Sequence, residues 1–259
     1  MSAIEFQNIT FHYNLDNTII HNINFEIERG STTVILGKNG SGKSTLLKLL
    51  MRFEKPIDGS ILIDGNLINN ISILDKSKVL AYVSQDIFNQ FDFSVQDYLL
   101  FGVTNTLNFI SMPNSEHCEL VNGYVKQFQI EHLLRKKMDK LSGGEKQIVM
   151  ICRAFIQGSN IIVLDEPLSA LDFANQNKVL KLLKDISGKG KTIIFTTHNP
   201  NHALFLDANV IFLFNRQIIA QGHAREVLTL DLLNTVYENS IGKSKDHPYE
   251  EFSIKNHEI

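Results

Sequence analysis

The residues Thr32–Leu50, TTVILGKNGSGKSTLLKLL, are the most informative part of this sequence about its fold. Its first five residues, Thr32–Leu36, form a near-continuous apolar run of the kind found in buried strands. A glycine-rich segment follows at once, and leucines at helical spacing then extend over Ser44–Phe53. The stretch therefore predicts a buried strand, a tight loop and a helix, in that order.

The loop, Gly37–Thr45, has the spacing G-x-x-x-x-G-K-[ST], in which each residue type has a chemical task. Its glycines allow a tight turn that presents backbone N–H groups inward. Lys43 brings a positive charge to the β- and γ-phosphates of a nucleotide, and Ser44 offers a hydroxyl to Mg²⁺. The motif alone does not separate a kinase from a GTPase or a motor protein. The loop residues predicted to bind the nucleotide are Gly37, Lys38, Asn39, Gly40, Ser41, Gly42, Lys43, Ser44 and Thr45.

Polar side chains follow three further apolar runs. Asp165 and Glu166 end the run IIVLDEP, whereas Gln85 and His198 end VLAYVSQ and TIIFTTH. Because ligands bind at the carboxyl ends of parallel strands, all four residues are predicted to lie on the same side of the sheet as Lys43. Asp165 is the candidate for holding Mg²⁺, usually through water. Glu166 is placed to polarise an attacking water molecule.

The remaining segments predict an α/β chain with an insert. Early segments such as Ile23–Glu28 alternate apolar and polar residues, as half-buried antiparallel strands do. Tyr13 lies among them, where it could stack on a nucleotide base or pack at a strand end. From about Asp86 to Lys140 helical patterns and polar loops dominate, which predicts a helical insert. Strands and helices then alternate, which favours a mostly parallel sheet, and VIFLF with QIIAQG predicts a late hairpin.

Composition excludes several classes of protein. The chain has 259 residues, of which 43% are hydrophobic, and a net charge of -3, so nucleic acid is not expected as a partner. The two cysteines, Cys118 and Cys152, lack metal-ligand spacing and fit a reducing compartment. The N-terminus lacks the pattern of a signal peptide. The apolar stretches are strand-sized, far short of the roughly 18 residues of a membrane helix, so another chain is expected to supply any membrane crossing.

A second glycine-rich element, LSGGEKQ (Leu141–Gln147), precedes a run with helical spacing and predicts a second anion-binding helix start. With it, the motifs resemble the ATP-binding cassette (ABC) ATPases in identity and in order, from about residue 3 to about residue 235. The elements that carry the resemblance are Tyr13, GKNGSGKST, Gln85, LSGGEKQ, IIVLDEP, SALD and TTH.

The resemblance implies an α/β P-loop NTPase fold of the ABC nucleotide-binding type. It implies a mostly parallel core sheet, an N-terminal antiparallel β subdomain and a helical insert at about 86–140. The ATPase domain is expected over residues 3–235, followed by a short polar C-terminal tail over 236–259. The ligands implied are ATP and Mg²⁺, with Ser44, Gln85 and Asp165 as the metal-binding residues.

The resemblance also assigns roles to single residues. Glu166 resembles the general base, His198 the residue that positions the γ-phosphate and water, and Gln85 the link to Mg²⁺ and the membrane partner. In this family two cassettes pack head to tail, so a second copy is the expected partner. Glu145 departs from the family pattern, because glutamine is most usual there. The signature residues that would bind the partner's ATP are Leu141, Ser142, Gly143, Gly144 and Glu145. The interface loop that would cross to the partner is Ser169, Ala170, Leu171 and Asp172.

The segments Ser169–Gln176 and Phe195–Leu204 resemble the cassettes of iron-chelate, haem, vitamin B12 and molybdate importers. This implies ATP-driven import of a metal chelate, such as an iron-siderophore or haem. The partners would be integral membrane permease subunits and, indirectly, a substrate-binding protein, with the chain peripheral on the cytoplasmic face of the cell membrane. The helical insert departs from the usual run of that branch. An importer or exporter ATPase for another cargo, a non-transport ABC ATPase and a small-molecule P-loop kinase remain alternatives.

Overall fold

A computed structural model describes residues 1–14, 17–85, 92–106, 112–238, 241–243 and 252–254. The chain divides into two compact units, the first formed by Met1–Ile68 and Phe195–Ile259 and the second by Asn69–Ile194. Part of the predicted insert and most of the predicted C-terminal tail lie outside the described residues. The predicted domain boundaries therefore stay a prediction.

Strands and helices alternate along the described residues. The strands are β1 (Ser2–Asn14), β2 (Asn17–Glu28), β3 (Thr32–Leu36), β4 (Asp58–Ile63), β5 (Asn66–Leu67), β6 (Leu80–Val83), β7 (Ile161–Leu164), β8 (Thr192–Thr197), β9 (Asn209–Phe214), β10 (Gln217–His223), β11 (Ile241–Lys243) and β12 (Phe252–Ile254). The α-helices are α1 (Lys43–Leu50), α2 (Ile73–Val79), α3 (Val95–Leu100), α4 (Ser115–Phe128), α5 (Gly143–Ile156), α6 (Phe173–Ser187), α7 (Pro200–Leu206), α8 (Ala224–Val227) and α9 (Leu230–Val236). Short 3-10 helices span Ile68–Asn70, Phe101–Thr106, Glu131–Leu133 and Met138–Lys140.

The antiparallel strands at the start of the first unit form a four-stranded sheet in the order β2-β1-β4-β5. β1 pairs with both β2 and β4. Phe6 lies opposite Phe25, and the two rings stack with their centroids 4.3 Å apart. Ile4 and Phe6, two residues apart on β1, are both buried, as a period of two requires. The predicted early antiparallel strands are therefore confirmed.

The glycine-rich loop of the first unit follows a buried strand, as predicted. All five residues of β3 are buried, and β3 pairs in parallel with β9. β9 pairs antiparallel with β10, which confirms the late hairpin. The prediction placed the end of α1 at Phe53, but the helix ends at Leu50. It ends because Arg52 takes a left-handed conformation with φ 59°, and Phe53 N–H donates back to Lys48 O at 2.9 Å.

The second unit contains a further parallel pair, β6 with β7, in which Val83 lies opposite Leu164. α5 packs against both strands and against α3 and α4 of the predicted insert. α6 begins directly after Asp172, whose carboxylate accepts a hydrogen bond from Asn175 N at 2.8 Å. β8 begins in this unit and ends in the first. Parallel pairing in both units agrees with the predicted α/β class.

The longest helix among the described residues, α6, has 15 residues. Within that part of the chain, no helix combines the length and the hydropathy needed to cross a membrane.

Candidate functional site

The phosphate loop of the first unit takes a shape that only glycine permits at two points. Gly42, which precedes α1, has φ 101°, a region that residues with a Cβ rarely adopt. A Cβ on Gly37 would lie 2.5 Å from Ser41 Oγ and 2.6 Å from Leu213 O. Gly42 also supplies no side chain to cap α1, so the helix start can bind an anion through its first N–H groups.

Lys43 places its ammonium inside this loop. The residue is only 4% exposed, and Nζ donates to Gly37 O at 2.9 Å and to Lys38 O at 3.2 Å. An ammonium group enclosed by a glycine-rich loop at a helix start is placed to bind phosphate oxygens.

Ser41 and Ser44 add hydroxyl groups to the loop. Ser41 Oγ is buried and has no hydrogen-bond partner among the described residues. A buried hydroxyl without a partner is unusual in a folded protein, and it fits a site where a ligand oxygen supplies the bond. Ser44 is half-buried in the first turn of α1, as expected of a hydroxyl that a Mg²⁺ ion could reach.

The acidic pair of the second unit lies at the carboxyl end of β7. Asp165 is 2% exposed, and its backbone N–H donates to Val83 O at 2.9 Å, at the end of β6. Gln85 follows two residues after Val83 and is exposed. The parallel register therefore brings Gln85 to the same edge as Asp165 and Glu166, as predicted for these three residues.

Glu166 is held in an unusual backbone conformation. Its φ is 43°, in the left-handed region, which costs a non-glycine residue about 1–3 kcal/mol. The Glu166 carbonyl accepts hydrogen bonds from Ser169 N at 3.2 Å and from Ser169 Oγ at 2.9 Å. The predicted interface loop is thus bonded directly to the predicted general base.

The signature residues begin α5 through a reciprocal cap. Ser142 Oγ accepts from Glu145 N at 3.2 Å, and Glu145 Oε2 accepts from Ser142 N at 2.8 Å. Lys136 Nζ lies 3.0 Å from Glu145 Oε1. The backbone hydrogen bond from Ser142 and the ion pair with Lys136 lower the pKa of Glu145 to about 2. Glutamate at this position therefore has a structural reason, which the sequence comparison alone did not reveal.

The signature segment and the interface loop lie together in the second unit. A Cβ on Gly144 would lie 3.5 Å from Ala170 O and from Leu171 Cδ2. Ser142, Gly143, Ser169 and Asp172 are exposed, so they can contact another molecule. The two predicted dimer elements thus form one surface.

His198 is exposed at the end of β8, and its turn is held by neighbours in the first unit. Thr197 Oγ1 lies 3.0 Å from His202 Nδ1 and accepts from Asn199 N at 3.1 Å. Asn199 Nδ2 lies 3.3 Å from His202 Nε2, which fits a neutral imidazole that carries its proton on Nδ1. Burial, aided by the nearby His198, lowers the pKa of His202 to about 4.

His202 and Tyr237 were not among the residues predicted from the sequence. Tyr237 OH donates to His198 O at 2.7 Å. A signal for His202 existed, since it lies four residues after His198 at the start of a helix. Tyr237 carries no comparable signal, because it lies 39 residues from its partner.

Tyr13 and the metal ligands remain predictions. Tyr13 is 50% exposed, and its ring meets Phe11 edge-on at 4.8 Å, so both its predicted roles stay open. The described residues contain no group of three or more His, Cys, Asp or Glu side chains that could hold a metal ion. The metal-binding role predicted for Ser44, Gln85 and Asp165 stays a prediction.

Comparison with known proteins identifies the family. A family model described as ABC transporter matches residues 20–169. The molybdate import ATP-binding protein MolC of Haemophilus influenzae is 34% identical over 91% of this chain and 88% of its own length. The achromobactin transport ATP-binding protein CbrD of Dickeya dadantii is 32% identical over 92% of this chain and 88% of its own length.

Solved structures agree with this result. A metal-chelate type ABC transporter in an inward-facing conformation matches with a TM-score of 0.83 and 29% identity, covering 99% of both chains. A dimeric ATP-binding cassette bound to ADP and Pi matches with a TM-score of 0.76 and 26% identity, covering 86% of this chain and 99% of that one. These matches confirm the predicted ABC-type α/β fold. The chain therefore belongs to the ABC transporter family as an ATP-binding subunit, an ATPase that powers transport.

Proposed function

We propose that this chain binds ATP at Gly37–Thr45 and hydrolyses it to drive import of a metal chelate through separate membrane permease subunits. The observation that carries the proposal is the buried ammonium of Lys43, inside a glycine-rich loop at the start of α1, which has no side-chain cap. That loop offers a cation, backbone N–H groups and the buried Ser41 hydroxyl to the triply charged end of ATP.

The hydrolysis step is assigned to residues that match the family motifs. Lys43 binds the β- and γ-phosphates, Glu166 accepts a proton from the attacking water, and His198 holds that water and the γ-phosphate in line. Ser44, Gln85 and Asp165 offer the oxygen ligands that Mg²⁺ prefers, and they would hold the ion, which offsets negative charge on the phosphates when bound.

A second copy of the chain completes the proposed site. The exposed Ser142 and the start of α5 would bind the γ-phosphate carried by the partner copy. The exposed residues Ser169 and Asp172 would cross the interface beside it. The dimeric cassette among the matching structures supports this arrangement.

The proposed cargo is supported by the relatives. Relatives named for their cargo include an achromobactin transport protein and a hemin import protein. The solved transporter that matches with a TM-score of 0.83 is of the metal-chelate type. Molybdate is a second candidate, because MolC is 34% identical to this chain. In either case the chain would act at the cytoplasmic face of the membrane, bound to permease subunits that also receive cargo from a substrate-binding protein.

The proposal is tested by purifying the tagged chain from gently solubilised native membranes and identifying its partners by mass spectrometry. A polytopic subunit with a chelate-binding protein is the expected result. A ribosomal or DNA partner without a membrane subunit would overturn the transport proposal. Lys43→Ala is the matched control: it should retain the membrane partner and lose ATP turnover. Undiminished turnover in this variant would overturn the assignment of the phosphate loop.

A further inference from the structure

Two residues that follow α9 reach two parts of the proposed site. Tyr237 OH donates to His198 O at 2.7 Å. Glu238 Oε1 accepts from Lys38 Nζ at 2.7 Å, in the phosphate loop. We call Tyr237 and Glu238 the C-terminal pair. All four residues belong to the first unit, so these contacts lie within one compact body.

The C-terminal pair is firmly placed. Leu233 and Val236 of α9 are fully buried, and Tyr237 N donates to Leu233 O at 2.7 Å. Glu238 then takes a left-handed conformation with φ 56°, which turns the chain directly after Tyr237.

The tyrosine ring also approaches the core strand next to the phosphate loop. Its centroid lies 6.5 Å from that of Phe212, a fully buried residue of β9. Phe212 pairs with Leu36, the last residue of β3 before Gly37. The Tyr237 ring therefore lies near the strand pair that leads into the loop.

The hydroxyl is a permanent donor. Burial raises the pKa of Tyr237 to about 12, so the phenol stays protonated at neutral pH. Its acceptor is the carbonyl of the one residue whose imidazole is proposed to hold the γ-phosphate. Thr197, Asn199 and His202 hold the same turn from their own segment. Tyr237 adds a contact to this turn from a segment 39 residues later in the chain.

We propose that Tyr237 is a positioning residue for ATP hydrolysis, which fixes the His198 backbone so that its imidazole meets the γ-phosphate. The proposal rests on the role given to His198 under Proposed function. Glu238 supports it by holding the same segment to Lys38, whose carbonyl accepts a hydrogen bond from Lys43 Nζ at 3.2 Å. Tyr237 lies outside residues 20–169, the region that the family model matches.

The test is a double-mutant cycle of ATP hydrolysis with Tyr237→Phe and His198→Ala. Tyr237→Phe removes only the hydroxyl and keeps the ring beside Phe212. We expect kcat to fall about five- to tenfold with little change in KM, because one hydrogen bond that orients a catalytic group is lost. In the His198→Ala background, removing the hydroxyl should have no further effect, because no imidazole remains to be positioned.

Tyr124→Phe is the matched control, because Tyr124 is a half-buried tyrosine of the second unit. It should leave kcat unchanged. Multiplicative losses in the Tyr237→Phe/His198→Ala double variant, or a loss in Tyr237→Phe that is matched by Tyr124→Phe, would overturn the positioning role. If His198→Ala itself retains full kcat, the role assigned to His198 fails, and the positioning role of Tyr237 fails with it. A fall in His198→Ala with no fall in Tyr237→Phe refutes the inference about Tyr237 alone.

Discussion

Ser169 Oγ donates to the Glu166 carbonyl at 2.9 Å, so the loop predicted to face a partner is bonded to the residue predicted to activate water. Glu166 needs this support, because its φ of 43° is unfavourable for a residue with a Cβ. Closure of a dimer on Ser169 would therefore act directly on the backbone of Glu166, the proposed general base.

Ser169→Ala should lower kcat about two- to fivefold, because the Glu166 carbonyl loses one of its two hydrogen bonds from Ser169. KM for ATP should change little, since Ser169 does not belong to the phosphate loop. Steady-state ATPase assays measure both constants. Ser115→Ala, an exposed serine at the start of α4, is the control and should behave as wild type. Equal kcat for all three proteins would refute this coupling.

Glu166→Gln should trap an ATP-bound dimer, because the amide cannot accept the proton of the attacking water. In gel filtration with ATP and Mg²⁺, the variant should elute at the volume expected for twice the mass of the monomer. ADP should leave the variant monomeric, which makes it the internal control. A variant that stays monomeric with ATP and keeps full turnover shows that Glu166 is not the base.

Replacing Glu145 should separate its structural role from its charge. Glu145→Ala should lower the free energy of unfolding by about 1 kcal/mol, since the cap at the start of α5 is lost. Glu145→Gln keeps a carbonyl oxygen that can accept from Ser142 N, so its free energy of unfolding should fall by less than that of Glu145→Ala. Because the folded pKa of Glu145 is about 2, below its usual 4.5, its ionised form stabilises the fold above pH 4.5. The stability difference from Glu145→Gln should therefore shrink as the pH falls from 4.5 toward 2. Urea unfolding at several pH values in this range measures the difference in unfolding free energy between the wild type and Glu145→Gln. A difference that does not change with pH would show that the charge of Glu145 does not stabilise the cap.

His202 should make the protein less stable in mild acid. The pKa of His202 is about 4 in the folded chain, against a usual value of 6.5. Between these pH values the unfolded chain therefore binds a proton at His202 and the folded chain does not. The contribution of neutral His202 to the free energy of unfolding is fully present above pH 6.5, and it is lost as the pH falls toward 4. His202→Gln, which does not titrate, should flatten this part of the profile of unfolding free energy against pH. An equally steep profile in the variant would show that other groups cause the loss.

Glu238→Gln should lower KM for ATP about two- to threefold at low salt, because a negative charge beside the phosphate loop is removed and Lys38 no longer pairs with it. The side chain of Glu238 is 84% exposed, so the pair is open to screening. At about 1 M salt, where the Debye length is about 3 Å, wild type and variant should converge. A KM difference that persists in high salt would mean that Glu238 acts through something other than its charge.

The sequence was informative where chemistry and local spacing coincide. The apolar run before Gly37 and the acidic end of IIVLDEP each predicted a strand, and β3 and β7 end where those motifs begin. The predicted end of α1 was wrong, because the spacing of the leucines does not indicate the left-handed turn at Arg52. The early sheet was predictable because Ile4 and Phe6, and again Ile9 and Phe11, are buried at a period of two, although the phase shifts at Asn8, whose φ is 53°.

The supporting contacts were not predictable from pattern. The hydrogen bond from Tyr237 to His198 joins residues 39 apart, and the pair of Lys38 with Glu238 joins residues 200 apart. Each depends on how the backbone folds back, and neither belongs to a periodic pattern. The reciprocal cap of Ser142 and Glu145 was within reach, since serine with glutamate three residues later is a recognised helix start.

The place of Tyr237 in the chain has a consequence for how relatives of this protein should be compared. A homologue whose gene is truncated at Val236 would retain the phosphate loop, the signature, the acidic pair and His198. Any inventory of motifs would count such a product as intact. Its rate of ATP turnover would nonetheless be reduced, and drift in a stretch that carries no motif could tune transport speed while every diagnostic residue stayed the same.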